Sequence, residues 1–593
     1  MRERVSMTML SRRRYTAPRK PVHVSLFDSY IDVWSTGMTV GIGGHFFGWN
    51  AGLVAGPWSF GLAVLCMGLA YICLCCCLAE VTSMVPFTGG AFGLARWTFG
   101  FHAGFLVGCC ESLQYILYVT WNFVQLSRFM ALAWPALAAY PYATWIMSYG
   151  VAVGALCCGS TPFTCWNRIL AFASLGLLLV YVVGAIPMAM QPAPTTSNDP
   201  ATPNVPFDIH TFLQTLPQAA WFFVGIETLN RLCNEVESPN ITIPRSQLWC
   251  MLTLFFTALG VFVSVHVLPP GLPAIAAAVA PFNFGYARLF GCSMPLATLL
   301  SVPATFASGQ GFVQAYTNII VALGSSRLLP EVFLVSLEST GAPIVAILSG
   351  TVLSFALCFV QLYADVDAVL FHAAMLFAFI AYLSQCIGYI YLRREHRGMA
   401  RPFKSPFGVA GAVVASAVWL VSIAALVGLQ DWRGTIFAAA MLALCSVYYK
   451  VYAHQHQVFS TQENKALLFA HVARLNSRQS YRRRSIEGFA GELVKLINPP
   501  SKYKKSFPPI YKVANKQRQR ACKAMVVVAV GASARRSIGR DILSPSEQEE
   551  RESDAARRNA APDPPVTPPT DASHTMPSDA PSVLFPPSKS LPT

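Results

Sequence analysis

The chain has 593 residues, 54% of them hydrophobic and 12% charged, with a formal net charge of +15 and a mean hydropathy of +0.46. That composition excludes an ordinary water-soluble protein of this length and points to an integral membrane protein. The positive charge is concentrated at the two ends of the chain, outside the apolar body, and no nucleic-acid partner is expected.

Residues 1–27 form a basic arm carrying Arg2, Arg4, Arg12, Arg13, Arg14, Arg19 and Lys20. The arm lacks the short apolar core and small-residue cleavage site of a secretory signal, so it is expected to be retained on the cytoplasmic side; a transit peptide is the competing reading of such an Arg-rich start. From 28 to 452 the chain is a succession of apolar runs, at roughly 29–56, 59–85, 103–130, 142–160, 166–190, 211–233, 247–268, 291–323, 342–362, 366–392, 408–428 and 434–452. A bilayer core takes about 20 apolar residues per helix. The expected fold is therefore an all-α polytopic membrane protein with about twelve transmembrane helices.

Loop charge gives the expected orientation. The loops after even-numbered runs hold Arg96, Arg168, Arg231, Arg245 and Arg327, then Arg393, Arg394, Arg397, Arg401 and Lys404, whereas the opposite loops are free of lysine. Both termini are accordingly expected in the cytoplasm, with the protein at the plasma membrane. Most of the 17 cysteines lie inside apolar runs, as in Cys75-Cys76-Cys77, and are read as small packing residues rather than metal or redox ligands; no metal or cofactor is expected.

Residues 453–540 form a basic cytoplasmic tail. Its 473–540 stretch carries 17 Lys or Arg against only Glu487 and Glu492, a pattern suited to anionic lipid. Ser485 and Ser537 each follow consecutive arginines, as phosphorylation sites often do, although a plain solvated tail explains the pattern as well. Residues 541–593, with eleven prolines, are expected to be disordered.

Two runs, the first and the sixth, are rich in helix-breaking signals. The first reads GMTVGIGGHFFGWNAGL, with Gly41, Ile42, Gly43 and Gly44 at its centre, and the sixth reads LPQAAWFFVGIETLN, with Gly225 in mid-run. Such a pair in corresponding halves marks unwound backbone at a substrate site, although small residues also serve close helix packing. Two carboxylates fall well inside runs, Glu111 in the third and Glu227 in the sixth, where a charge is costly and suggests an amine site, a proton site or a helix-to-helix hydrogen bond. Trp221 and Phe222 precede Glu227 by a little over one helical turn, in place to gate the same cavity or to pack against a cation.

Several segments, in order, resemble the amino acid–polyamine–organocation superfamily, and within it the ethanolamine permease-like group. They are Phe46-Phe47-Gly48-Trp49-Asn50, the stretch AEVTSMVPFTGGAFGLAR after the second run, Glu111 with Gln114-Tyr115, and Phe223-Val224-Gly225-Ile226-Glu227 followed by Asn234-Glu235-Val236-Glu237-Ser238-Pro239 and Ile243-Pro244-Arg245, then RPFKSPFG after the tenth run. The resemblance covers roughly 28–430. It implies a five-plus-five inverted repeat with broken spans one and six and two further spans outside the repeat. It also implies a substrate site at Gly41, Ile42, Gly43 and Gly44, facing Trp221 as aromatic gate, Phe222, Gly225 and Glu227. His45 stands where these relatives tend to have an acid, and Asn318 and Ser325 where they often have arginines.

The expected function is a secondary carrier of a small amine or amino acid, ethanolamine-like compounds included, working by alternating access with exchange, facilitated uptake, or coupling to a proton or sodium. A transporter-derived nutrient sensor signalling through its tail is the alternative. An enzyme is not expected, since no paired-histidine zinc motif, nucleophile elbow or phosphate-binding loop is present.

Overall fold

The computed structural model describes residues 30–86, 89–189, 206–268, 271–364, 366–397, 399–460 and 463–464. The basic arm, nearly all of the basic tail with Ser485 and Ser537, and the proline-rich end lie outside these residues. Every regular element described is helical.

Among the described residues, nine helices are long and apolar enough to cross a bilayer unaided. They comprise span two (Gly56–Met84), three (Phe101–Ala133), five (Ser160–Ala189), seven (Pro239–Val267), eight (Val302–Ser325), nine (Ile344–Ala364), ten (Asp367–Glu395), eleven (Gly408–Leu429) and twelve (Trp432–Tyr448 and its continuation to His456). Three further crossings complete the expected twelve. Span four (Pro141–Cys157) has only 17 residues, while spans one and six are interrupted. Span one runs Tyr30–Gly41, yields at Ile42, and resumes for one turn, Gly43–Phe46. Span six is the helix Ile209–Ala219 followed by two 3-10 stretches, Ala220–Phe222 and Ile226–Asn234.

Contacts between loops and span ends reveal how the crossings alternate. Arg168 at the start of span five pairs with Asp32 at the start of span one. The Ser246 hydroxyl at the start of span seven donates to the Tyr30 carbonyl, and the Val458 amide beyond span twelve donates to the Ser326 carbonyl at the end of span eight. On the opposite face, Arg128 at the end of span three meets Asp367 at the start of span ten, and Asn50 Nδ2 donates to the carbonyls of Ile275 and Ala278, each at 2.9 Å. The described chain thus enters at Tyr30 and leaves near Glu463 on one face, called here the entry face.

The two most extensive helix contacts join spans three and eight and spans two and seven, each pair five apart. Spans one and six, also five apart, meet at their breaks, which is the arrangement a five-plus-five repeat requires. Spans eleven and twelve pack outside it, both against span ten.

Local chemistry accounts for the break in span six. Asp208 caps its start by accepting the Thr211 amide hydrogen at 2.8 Å. Pro217 then removes an amide donor from the helix, which ends two residues later. At Gly225 the backbone turns left-handed, with φ 97°, and an added Cβ would overlap Val40 Cγ1 of span one. Gly225→Ala is expected to destabilise the protein by about 1–3 kcal/mol, because an L-residue there is strained and the wall opposite is packed. Thermal unfolding in detergent checks this, and an alanine protein as stable as the parent would refute the requirement.

Candidate functional site

The glycines of span one are where other elements come closest. A Cβ on Gly41 would lie 2.7 Å from Leu254 Cδ1 of span seven, one on Gly43 would overlap Ser308 of span eight, and one on Gly44 would overlap the carbonyl oxygen of Trp221. The Ser308 hydroxyl donates to the Val40 carbonyl at 2.7 Å. The interruption at Ile42 is therefore one residue long, and most of the glycine cluster serves close approach of span one to spans six, seven and eight. Its neighbour His45 is fully buried, with Nε2 3.2 Å from the Leu254 carbonyl and 3.1 Å from the Thr257 hydroxyl, and its ring edge meets Phe222. It is a hydrogen-bonded packing residue here, tying span one to span seven.

Glu227 lies just past the left-handed turn and is 2% exposed. Its Oε2 accepts the Gly225 amide hydrogen at 3.1 Å, closing the break on itself. Its Oε1 accepts from Tyr115 Oη at 2.7 Å, Tyr382 Oη at 2.9 Å and Gln114 Nε2 at 3.1 Å. One carboxylate thus joins spans three, six and ten. Four donors, the Gly225 and Gln114 N–H groups and the two tyrosine hydroxyls, converge on one side chain at the break.

Arg231 corrects the loop assignment: it belongs to the 3-10 half of span six, is 3% exposed, and pairs with Glu111 of span three. Its guanidinium also lies 5.4 Å from the Tyr115 ring centre, and the same Glu111 carboxylate receives Gln385 Nε2 of span ten at 3.4 Å. A buried carboxylate demands a counter-charge, and the cation four residues after Glu227 supplies it. Asn318 donates to Glu235 Oε1 at 3.1 Å, tying span eight to the end of span six by a hydrogen bond from an uncharged amide. Ser325 turns back onto its own helix, donating to the Ala322 carbonyl.

Towards the opposite face the closure is aromatic. The Trp221 ring meets Tyr118 at 5.3 Å, Phe47 at 5.5 Å and Phe371 at 5.9 Å in edge-on geometry, and its indole N–H has no acceptor among the described residues. Phe222 instead stacks on Trp49, 5.0 Å away, and so turns from Trp221 towards span one. Phe312 of span eight lies 5.0 Å from Tyr118 and 5.8 Å from Tyr115, so aromatic faces surround the ground between Trp221 and Glu227. Trp221, Phe222, Ile42, Tyr115, Tyr118 and Phe312 are all at most 1% exposed, so the centre is sealed from both faces.

A third buried carboxylate holds two of the sequence segments together. Glu80, ending span two, receives Tyr389 Oη at 2.9 Å and the Ser405 amide at 2.8 Å, and pairs with Arg393 and Arg401 at 3.1 and 3.4 Å. The acidic residue of AEVTSMVPFTGG and the basic loop RPFKSPFG are thus halves of one clasp.

Residues 32–445 match the family described as amino acid permease. The chain is 25% identical over 320 residues to an uncharacterized transporter of Rhizobium meliloti (strain 1021), a match covering 51% of this chain and 65% of that protein, just under two thirds. It is also 24% identical over 380 residues to a probable polyamine transporter of Arabidopsis thaliana, covering 62% of this chain and 73% of the relative. A second probable polyamine transporter of that plant is 25% identical over 228 residues, or 37% of this chain and 43% of the relative.

Proposed function

The chain belongs to the amino acid permease family, and we propose that it is a secondary transporter moving a small amine or amino acid by alternating access. The observation that carries this reading is Glu227: a carboxylate buried at the break of span six, between an aromatic closure on one face and a buried ion pair towards the other. An ammonium group suits such ground, because aromatic faces and a carboxylate both attract a cation. The Trp221 indole N–H offers a donor for a hydroxyl or carboxylate oxygen at the substrate's other end. Gly41, Ile42, Gly43 and Gly44 form the wall from span one, with Trp221, Phe222 and Gly225 from span six. Ethanolamine-like amines fit this pattern, and relatives named as probable polyamine transporters lend weight to amines over anions.

In this reading Trp221 is the gate towards the opposite face, while Glu111 and Arg231 form the gate towards the entry face. Glu111 and Glu227 are the groups that meet the substrate amine or a coupled proton. The protein works at the plasma membrane with both termini cytoplasmic and its basic tail against anionic lipid.

The test is uptake of labelled ethanolamine, alanine and arginine into proteoliposomes, with and without a pH or sodium gradient. Saturable ethanolamine uptake is expected, and its response to each gradient identifies the coupling ion. Preference for an amino acid would move the substrate within the class; uptake of none would sink the transport reading and leave a sensor.

A further inference from the structure

On the entry face a cavity of about 170 Å³ opens beneath the broken half of span six. Its walls include Leu78 and Thr82 of span two, Leu94 of the loop helix Gly90–Phe99, and Asn230 of span six, which receives the Thr82 hydroxyl hydrogen at 2.8 Å. Phe101 of span three and Leu392 of span ten add to these walls, and two wall residues come from beyond span twelve: Phe459 and Glu463. Asn230 stands between Glu227 and Arg231 in the chain, so the cavity adjoins the entry-face end of the candidate site.

The segment supplying that wall is held by more than chance contact. Glu463 Oε1 pairs with Arg96 of the loop helix at 2.7 Å, the two side chains being 7% and 2% exposed. Its Oε2 receives the Ser326 hydroxyl at 3.0 Å and the Ser460 amide at 2.7 Å, while the Glu463 amide donates to Ser460 Oγ at 3.2 Å. The last two bonds are a reciprocal capping box, which fixes the carboxylate before it meets Arg96. Arg96 also lies over the rings of Phe101 and Phe459, at 4.8 and 5.0 Å, and donates to the Val458 carbonyl at 3.3 Å. The adjacent turn is unusual as well: Arg327 is the one non-glycine with positive φ among the described residues, at 52°. That conformation is rare for an L-residue and lies where Ser326 grips both Val458 and Glu463.

We infer that Ser460 and Glu463 form a latch that closes the entry-face mouth of this cavity by clamping the loop helix Gly90–Phe99 to the end of span eight. A segment that merely covered apolar surface would not need a buried charge on each side. An ion pair lets the closure be released by competition for Arg96 or Glu463, so these few residues beyond span twelve control access to the pathway. This extends the transport reading without altering the site it assigns.

The experiment compares the full chain with Glu463→Ala and with Glu463→Gln, which can keep the capping box but not the charge, using hydrogen–deuterium exchange in detergent and efflux from preloaded proteoliposomes. In both variants protection is expected to fall over 90–99 and 226–234, about tenfold or more in Glu463→Ala, and efflux to quicken; parental protection in Glu463→Gln would show that the ion pair is not the latch. Loss confined to 90–99, no loss, or efflux no faster than the parent's would overturn the latch. Hydrogen exchange needs no substrate, and parental uptake is established beforehand, so failure of the latch is distinguishable from failure of the transport reading.

Discussion

Replacing Glu227 with glutamine is expected to leave a folded protein whose transport falls by about tenfold to a hundredfold. The wild-type carboxylate accepts four hydrogen bonds and donates none. In the amide, the oxygen can keep Tyr115, Tyr382 and Gln114, but the NH2 group is then aimed at the Gly225 N–H, donor against donor. Leaving one buried donor unmet costs about 1–3 kcal/mol, and the loss falls on the turn that defines the break. Reversing the amide keeps Gly225 but sets an NH2 group against three donors, each of which must turn, the tyrosine hydroxyls by rotation and Gln114 by presenting its Oε1. Uptake at equal amounts of reconstituted protein measures the effect. Wild-type uptake by Glu227→Gln would remove this residue from the site.

The second large effect concerns the buried pair. Arg231→Met leaves Glu111 as a buried carboxylate without its cation, and loss of one partner of such a pair costs about 3–5 kcal/mol. The reverse change, Glu111→Gln, removes the anion paired with Arg231 and leaves that guanidinium a neutral amide oxygen and the Tyr115 ring face in its place. The double variant is expected to regain most of the lost thermal stability, because neither charge is then stranded, yet to remain impaired in transport as a gate without its closing charge. The four proteins form a double-mutant cycle. Additive losses in stability would show that the pair is not coupled, and full transport by the double variant would show that it is not a gate.

The pattern of apolar runs located the twelve crossings, but the runs depart from the helices at the end of span one, at the starts of spans five and seven, and most of all at span eight. There the run begins at 291, but a separate short helix, Met294–Leu299, precedes the span proper. The two breaks were legible because Pro217, Gly225 and the glycines of span one carry backbone information in their own chemistry. Pairing across the bundle was not. Glu111 and Glu227 stood out as isolated carboxylates, yet their partners Arg231, Tyr382 and Gln385 are 120, 155 and 274 residues away. Hydroxyls and amides inside an apolar run leave no trace in hydropathy. Arg231 looked like one more loop arginine because it lies near a span end, though its spacing from Glu227 and the need of Glu111 for a counter-charge pointed inward. The glycines of span one carried two messages at once, interruption and close approach, and only the neighbours Leu254, Ser308 and Trp221 apportion them.

The clasp at Glu80 has a consequence for how the molecule is made. Ser405 is 325 residues downstream of the carboxylate it caps, so at roughly 5–20 residues per second a ribosome needs about 15–65 s to supply it. For most of that interval, until Tyr389 is made 309 residues downstream, the newly inserted second span carries an acid with none of these partners. Its position suits the delay: Glu80 is four residues from the end of the helix, close enough to the headgroups to stay hydrated until the tenth span arrives. Nascent chains stopped before Tyr389 are therefore expected to hold their second span shallowly, and assembly of this bundle is completed late, from its distant end.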